Sequence, residues 1–173
     1  DIVAAARKAV ETDLDVGSRT VIVVAGEGWH RGVIGIVASK LVDAFHRPAI
    51  VISTDGDIAH GSCRSIPSFN MLAALESCGE VMSKFGGHKQ AAGLTMASDH
   101  VRELRARVND YADGCLQPDD LRPRIWIDGA LGFRSIDEQV ASELTSIVRA
   151  RPTRRVGPRR PRRRQRRSMR RRR

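Results

Sequence analysis

Thr20-Val21-Ile22-Val23-Val24-Ala25-Gly26, then Gly32 to Phe45, then Pro48-Ala49-Ile50-Val51-Ile52-Ser53, is the stretch that decides the fold. Its first and last pieces are short, β-branched and bounded by glycine or proline, as strands buried on both faces are. Between them Val33, Ile36, Val37, Leu41, Ala44 and Phe45 recur at helical spacing, which predicts a helix with those six as its apolar stripe. Strand, helix, strand in this order is a βαβ unit. It predicts a parallel pair joined by a right-handed crossover.

Upstream, Ile2 to Val10 reads as the end of a helix. Downstream, Thr54-Asp55-Gly56-Asp57 is a turn, and its shortness predicts that Ile58 to Ser65 returns antiparallel. Asn70 to Cys78 is a short helix with Ser68 or Asn70 available as its cap. Gly93-Leu94-Thr95-Met96 is a brief strand, and Ser98-Asp99 caps a long amphipathic helix to about Cys115. A loop at Gln117-Pro118-Asp119-Asp120 marks a boundary. Beyond it, Arg124 to Asp128 alternates like a half-buried strand, and Ser135 to Val148 is helical in pattern.

The net charge of +10 over 173 residues is unevenly spread. From Arg149 to Arg173 there are 15 arginines and no acid, leaving 15 basic against 20 acidic residues before them. The globular part is mildly acidic, so a nucleic-acid function has to rest on local sites and not on overall charge. The tail has no periodicity and almost no apolar content, and disorder is its expected state. Two readings of it stand side by side: a basic arm acting by counterion release, or a frame-shifted reading of a GC-rich gene.

Three cysteines, Cys63, Cys78 and Cys115, form no C-x-x-C pair and are too few for a disulfide framework. No apolar run approaches the roughly 18 residues of a membrane span, and no signal peptide opens the chain. A soluble cytoplasmic protein with reduced thiols is expected. Because the first residue is Asp1, the N-terminus is expected to be a cut edge.

Three polar segments carry the candidate chemistry. Trp29-His30-Arg31-Gly32 follows the first strand and opens the first helix, where unpaired N–H groups and the helix dipole favour an anion. Gly61-Ser62-Cys63-Arg64-Ser65 supplies hydroxyls and a guanidinium, the fork best matched to phosphate oxygens. In Phe85-Gly86-Gly87-His88, two glycines predict a turn with φ > 0 whose successive N–H groups form an anion-binding nest. Each also has a plain structural reading: glycines for tight packing, a half-buried Trp29, an ion-paired Arg64, a capping His88. The five histidines show no metal-binding spacing, and no Walker loop, nucleophile elbow or dinucleotide fingerprint is present.

Together these residues resemble the DHHA1 domain of RecJ-type single-stranded-DNA-specific exonucleases. The resemblance is carried by Gly28-Trp29-His30-Arg31-Gly32-Val33-Ile34-Gly35, His46-Arg47-Pro48, Gly61-Ser62-Cys63-Arg64-Ser65-Ile66 and Phe85-Gly86-Gly87-His88-Lys89-Gln90. It runs from about Thr20 to Met96, and more loosely to Val148. It implies an α/β fold with a mixed sheet and flanking helices. It also implies the end of an interdomain helix over 1–18, the DHHA1 domain over 19–117, a truncated oligonucleotide-binding (OB) fold over 121–148 and the basic tail over 149–173.

By the same resemblance, a DHH domain, whose motifs do not occur here, holds two Mn²⁺ or Mg²⁺ ions, and this chain holds none. Single-stranded DNA is the implied partner, a small-molecule ligand is not expected, and the protein is expected to be a monomer. Trp29, His30, Gly32, Ser62, Arg64, Ser65, Gly86, Gly87 and His88 fall where substrate would be gripped, with His88 also supporting catalysis at the phosphate. Two alternatives remain open. A phosphodiesterase of short oligonucleotides or cyclic dinucleotides shares the Gly-Gly-His element but lacks the Trp-His-x-Gly-Val-Ile-Gly signature. A non-catalytic binder would act through the arginine tail.

Overall fold

In the computed structural model, which describes residues 1–12, 19–124, 132 and 137–150, the chain opens with helix α1 (Ile2–Thr12). Strand β1 (Ile22–Glu27) then leads into helix α2 (Ile34–Phe45) and strand β2 (Ala49–Asp55), and β1 and β2 pair in parallel as expected. Strand β3 (Ile58–Arg64) returns antiparallel across the two-residue turn Gly56-Asp57. Helix α3 (Met71–Ser77) follows, with the Asn70 side chain accepting from the Ala73 N–H at 3.3 Å. Strands β4 (Lys84–His88) and β5 (Ala91–Ala97) form a hairpin. Helix α4 (Val101–Cys115) is followed by a 3-10 turn, Pro118–Leu121, where the sequence predicts a loop, and the first unit ends at Ile125.

The sheet order is β1-β2-β3-β5-β4, with β3 also antiparallel to β5. It is a mixed five-stranded sheet with helices on both faces. One face packs Val23, Ile50, Ile52, Cys63 and Met96 against Phe69, Leu75, Leu104 and Val108 of the 65–112 segment. The other packs Ile22, Val24, Ala49 and Val51 against α1 and α2 through Ala6, Val10, Ile34 and Leu41. The larger of these apolar side chains contribute roughly 1.5–3 kcal/mol each relative to exposure.

Helix α4 also closes an exposed edge. Val21 turns its backbone groups away from β2, and the buried Asn109 accepts from its N–H at 2.8 Å and donates to its carbonyl at 3.1 Å. Arg105 Nε donates to the Val23 carbonyl at 3.2 Å. An edge strand satisfied by side chains in this way offers fewer groups for pairing with another chain.

Three further expectations are corrected. The apolar stripe of α2 is Ile34, Val37, Ala38 and Leu41, whereas Val33 and Ile36 are 36% and 58% exposed. Residues 33–38 are nearly all apolar, so the 3.6-residue period is compatible with more than one stripe. Packing against the sheet buries the stripe that starts at Ile34, and the loop leading to it from β1 bends at Gly28, φ +65°. Ser98 and Asp99 do not cap α4: they belong to a 3-10 turn, Ser98–His100, and the Ser98 hydroxyl donates to the Gly56 carbonyl at 2.8 Å. The Gly-Gly-His segment is a strand and not a turn, because β4 pairs along its whole length with β5 across the turn Lys89-Gln90.

The second unit, Trp126–Arg173, is described mainly by helix α5 (Glu138–Ala150), begun where Asp137 Oδ1 accepts from the Val140 N–H at 2.8 Å. The expected strand from Arg124 to Asp128 lies, beyond Arg124, outside the described residues, and so does the tail from Arg151.

Candidate nucleic-acid interface

Alternation along β3 separates two kinds of side chain. Ala59, Gly61 and Cys63 turn to the core, and His60, Ser62 and Arg64 turn to the opposite face, where each is half-buried. Strand register extends these three into rows. Arg64 lies opposite Ala91, which lies opposite His88; Ser62 aligns with Gly93 and Gly86; His60 aligns with Thr95 and Lys84.

Helices α1 and α2 cover this face over β1 and β2, and α2 reaches as far as β3. Beyond it, over the rest of β3 and over β5 and β4, a groove of about 520 Å³ remains, lined by Arg31, His60, Ser62, Lys84, Gly86 and Thr95 among others. No Asp or Glu lines it among the described residues. Its middle row is nearly bare backbone: a Cβ on Gly86 would meet nothing within 4 Å, so any side chain there would project into open space. A floor without side chains between rows that carry basic ones leaves room for an extended anionic chain, because the flanking donors reach it without steric interruption.

One wall of the groove is the first turn of α2. A Cβ on Gly35 would come within 3.1 Å of Ser62 Oγ and 3.2 Å of Arg64 Nη2, so this glycine brings the helix start onto the Ser62–Arg64 pair. The N-terminal turn carries unpaired N–H groups and the positive end of the helix dipole. Arg64 Nη1 donates to the Cys63 carbonyl at 2.8 Å and to Ser62 Oγ at 3.4 Å, which holds the guanidinium along its row. Beneath it, burial pushes the Cys63 thiol up to about 12 despite the neighbouring Arg64, so Cys63 is packing and not a nucleophile.

Of the residues singled out from the sequence, Ser62, Arg64, Gly86 and His88 come together on this face. Gly87 is in the same strand but serves the hairpin. Its φ is +149°, and a Cβ there would come within 2.5 Å of Ala92 Cα as well as striking the Ala91 carbonyl oxygen. Gly86 has no positive φ, so the expected nest of consecutive left-handed residues is not formed. Trp29 packs over Gly26 beside the α1–α2 core. The Nδ1 of His30 accepts from the Gly32 N–H at 3.1 Å, so both residues are engaged in shaping the turn. The Ser65 hydroxyl donates to the Phe69 carbonyl at 3.0 Å and closes a loop.

Arg31, Gly35 and Gly93 lie within the segments that the sequence singles out, whereas His60, Lys84 and Thr95 are not among its candidate residues. The signal for His60 was there, because His60-Gly61-Ser62-Cys63-Arg64 places a polar residue at every second position. Lys84, Gly93 and Thr95 join the site only through the register of three strands. Among the described residues, no group of three or more His, Cys, Asp or Glu is placed to hold a metal ion. These residues therefore do not fit a divalent-metal centre.

The model of the DHHA1 domain family matches residues 18–114. The single-stranded-DNA-specific exonuclease RecJ of Bacillus subtilis (strain 168) is 44% identical over 131 residues, covering 75% of this chain and 17% of that protein. The crystal structure of RecJ in complex with Mn²⁺ from Thermus thermophilus superposes with a TM-score of 0.58 at 31% identity, covering 66% of this chain and 17% of that one. The Mg²⁺ complex from the same organism gives a TM-score of 0.57 at 32% identity, covering 69% and 18%. The chain thus spans less than a fifth of the length of these proteins.

Proposed function

The chain belongs to the DHHA1 domain family, and from that premise we propose that it is the substrate-binding part of a single-stranded-DNA exonuclease. The uncovered half of its sheet grips the phosphate backbone. Arg64 supplies a forked donor, Ser62 a hydroxyl, the start of α2 a positive dipole end, and Gly86 and Gly93 a floor low enough for the strand to lie on. His88, level with Arg64 across β5, offers a further donor beside the phosphate. The observation that carries the proposal is the close approach of Gly35, in the first turn of α2, to Ser62 and Arg64, beside a groove that no Asp or Glu lines among the described residues.

The proposal extends to the whole enzyme. Hydrolysis proceeds 5′ to 3′ in DNA repair and recombination, and the two divalent metals, Mn²⁺ or Mg²⁺, belong to a DHH domain and not to these residues. When bound there, such ions activate water and stabilise charge on the phosphorus. This chain by itself is then a binder without nuclease activity, monomeric and cytoplasmic. Residues 121–148 begin an OB fold. The absence of acidic groups from the groove supports a polyanionic substrate. Nothing in the site favours a small cyclic dinucleotide over an extended strand, since the groove is an open sheet face and not an enclosed pocket.

Fluorescence anisotropy with a labelled thymidine oligonucleotide tests the reading. The wild-type chain is expected to bind single strands more tightly than duplex, and Arg64→Ala is expected to lose roughly tenfold, the worth of one charge-assisted contact. Equal binding by Arg64→Ala and wild type, with all affinity lost on truncation at Val148, would assign binding to the arginine tail instead.

A further inference from the structure

The end of the groove away from Arg64 carries its own donor set. His60, Thr95 and Lys84 form one row across β3, β5 and β4, two residues along β3 from Ser62 and four from Arg64. His60 Nδ1 and Thr95 Oγ1 are 3.2 Å apart. With the hydroxyl donating to Nδ1, the neutral imidazole carries its proton on Nε2, the ring atom left to meet a ligand. Lys84 is exposed at the edge of the sheet, and Arg31, in the turn before α2, lines the same groove.

Two residues of strand advance roughly 6.6–6.8 Å, a step comparable with the separation of successive phosphates in an extended single strand. The three rows therefore keep pace with three consecutive phosphates. On the reading of the groove as a DNA-backbone site, we infer that His60, Thr95, Lys84 and Arg31 form a distal phosphate subsite two backbone steps from Arg64. The strand then lies along β3 and does not cross it, and the bound length is set by the sheet. Substrates too short to span from Arg64 to Lys84 forfeit the distal contacts.

The test compares a thymidine dinucleotide with a hexanucleotide on the whole chain, using Lys84→Ala, Lys84→Arg, His60→Gln and Arg64→Ala. Thermal unfolding shows whether each variant is folded. Lys84→Ala is expected to weaken the hexanucleotide roughly tenfold while affecting the dinucleotide far less. The slope of log K against log salt for the hexanucleotide should fall by about 0.7. Lys84→Arg should restore both, and His60→Gln should weaken the hexanucleotide selectively. Equal weakening of both lengths by Lys84→Ala, or none, overturns the distal subsite while leaving the Arg64 site standing. If Arg64→Ala leaves both oligonucleotides unaffected, the groove reading itself fails.

Discussion

Gly35 brings the backbone of α2 against the Arg64 side chain: a Cβ on Gly35 would sit 3.2 Å from the Arg64 Nη2. The atoms it would press, Nη2 of Arg64 and Oγ of Ser62 at 3.1 Å, are the ends of side chains and can move. Gly35→Ala should therefore leave stability within about 0.5 kcal/mol, since relief of glycine's poor helix propensity offsets the crowding. It should also swing Arg64 off its row. Thermal unfolding and oligonucleotide anisotropy, measured together, should show an unchanged melting temperature with weakened binding. A large loss of stability instead would mean that the helix start cannot yield.

Gly86 and Gly87 are neighbours with opposite requirements. At Gly86 a methyl meets nothing within 4 Å, so Gly86→Ala should unfold like the wild type and bind single-stranded DNA less well. At Gly87 the φ of +149° and the Ala91–Ala92 backbone leave no room. Gly87→Ala should cost about 1–3 kcal/mol, read as a lower urea midpoint. Similar stabilities for the two variants would contradict the pairing of β4 with β5 described above.

Asn109 joins α4 to the edge of β1 with two hydrogen bonds to Val21, and it also donates to the Arg105 carbonyl at 2.9 Å. Asn109→Leu strands the buried N–H and C=O of Val21 and should destabilise the domain by about 2–4 kcal/mol. The urea midpoint should drop without a change in slope. Because Asn109 lies away from the groove, the affinity of the remaining folded protein should be unchanged.

The three thiols should differ in reactivity. Cys115 is exposed, whereas Cys63 and Cys78 are buried and burial raises both. A thiol-disulfide reagent should titrate one cysteine quickly in the native protein and three in denaturant. Linkage adds a pH prediction. Cys63 ionises near 9.0 when exposed and near 12 when folded, so the native state holds its proton over a window where the unfolded chain releases it. Its stabilising contribution is complete below pH 9.0 and is lost as pH rises toward 12, by about 1.4 kcal/mol per pH unit. Stability measured from about pH 8.5 to 10.5 should fall more steeply in the wild type than in Cys63→Ala. Parallel slopes would show that Cys63 is accessible in the folded state.

Much of the scaffold was legible from local pattern. The parallel β1–β2 pair, the antiparallel return of β3 and the Asn70 cap all follow from residues close in sequence. The stripe of α2 was misread because Val33, Ile34, Ile36 and Val37 are all apolar and the period alone does not choose among them. Gly-Gly in β4 suggested a turn because glycine permits φ > 0. Here it mainly keeps a strand bare, and only Gly87 uses the positive φ, where the Ala91 and Ala92 backbone crowds it. Ser65 and His30 carry the right chemistry for a phosphate, and the structure adds local bonds that the sequence does not show: the Ser65 hydroxyl donates to the Phe69 carbonyl, and His30 Nδ1 accepts from the Gly32 N–H.

Taken alone, the amino-acid order determined the βαβ start, the Ser62–Arg64 pair on one strand face and the resemblance to an exonuclease domain, because each depends on spacing within a few residues. Tertiary structure decided which residues share the site. His60, Thr95 and Lys84 lie far apart in the chain, and strand register alone places them in one row. Gly35 meets Arg64 only because α2 packs across β2 as far as β3. Long-range pairing sets which faces are covered and which are left open, and a groove is the part of a face that no helix covers.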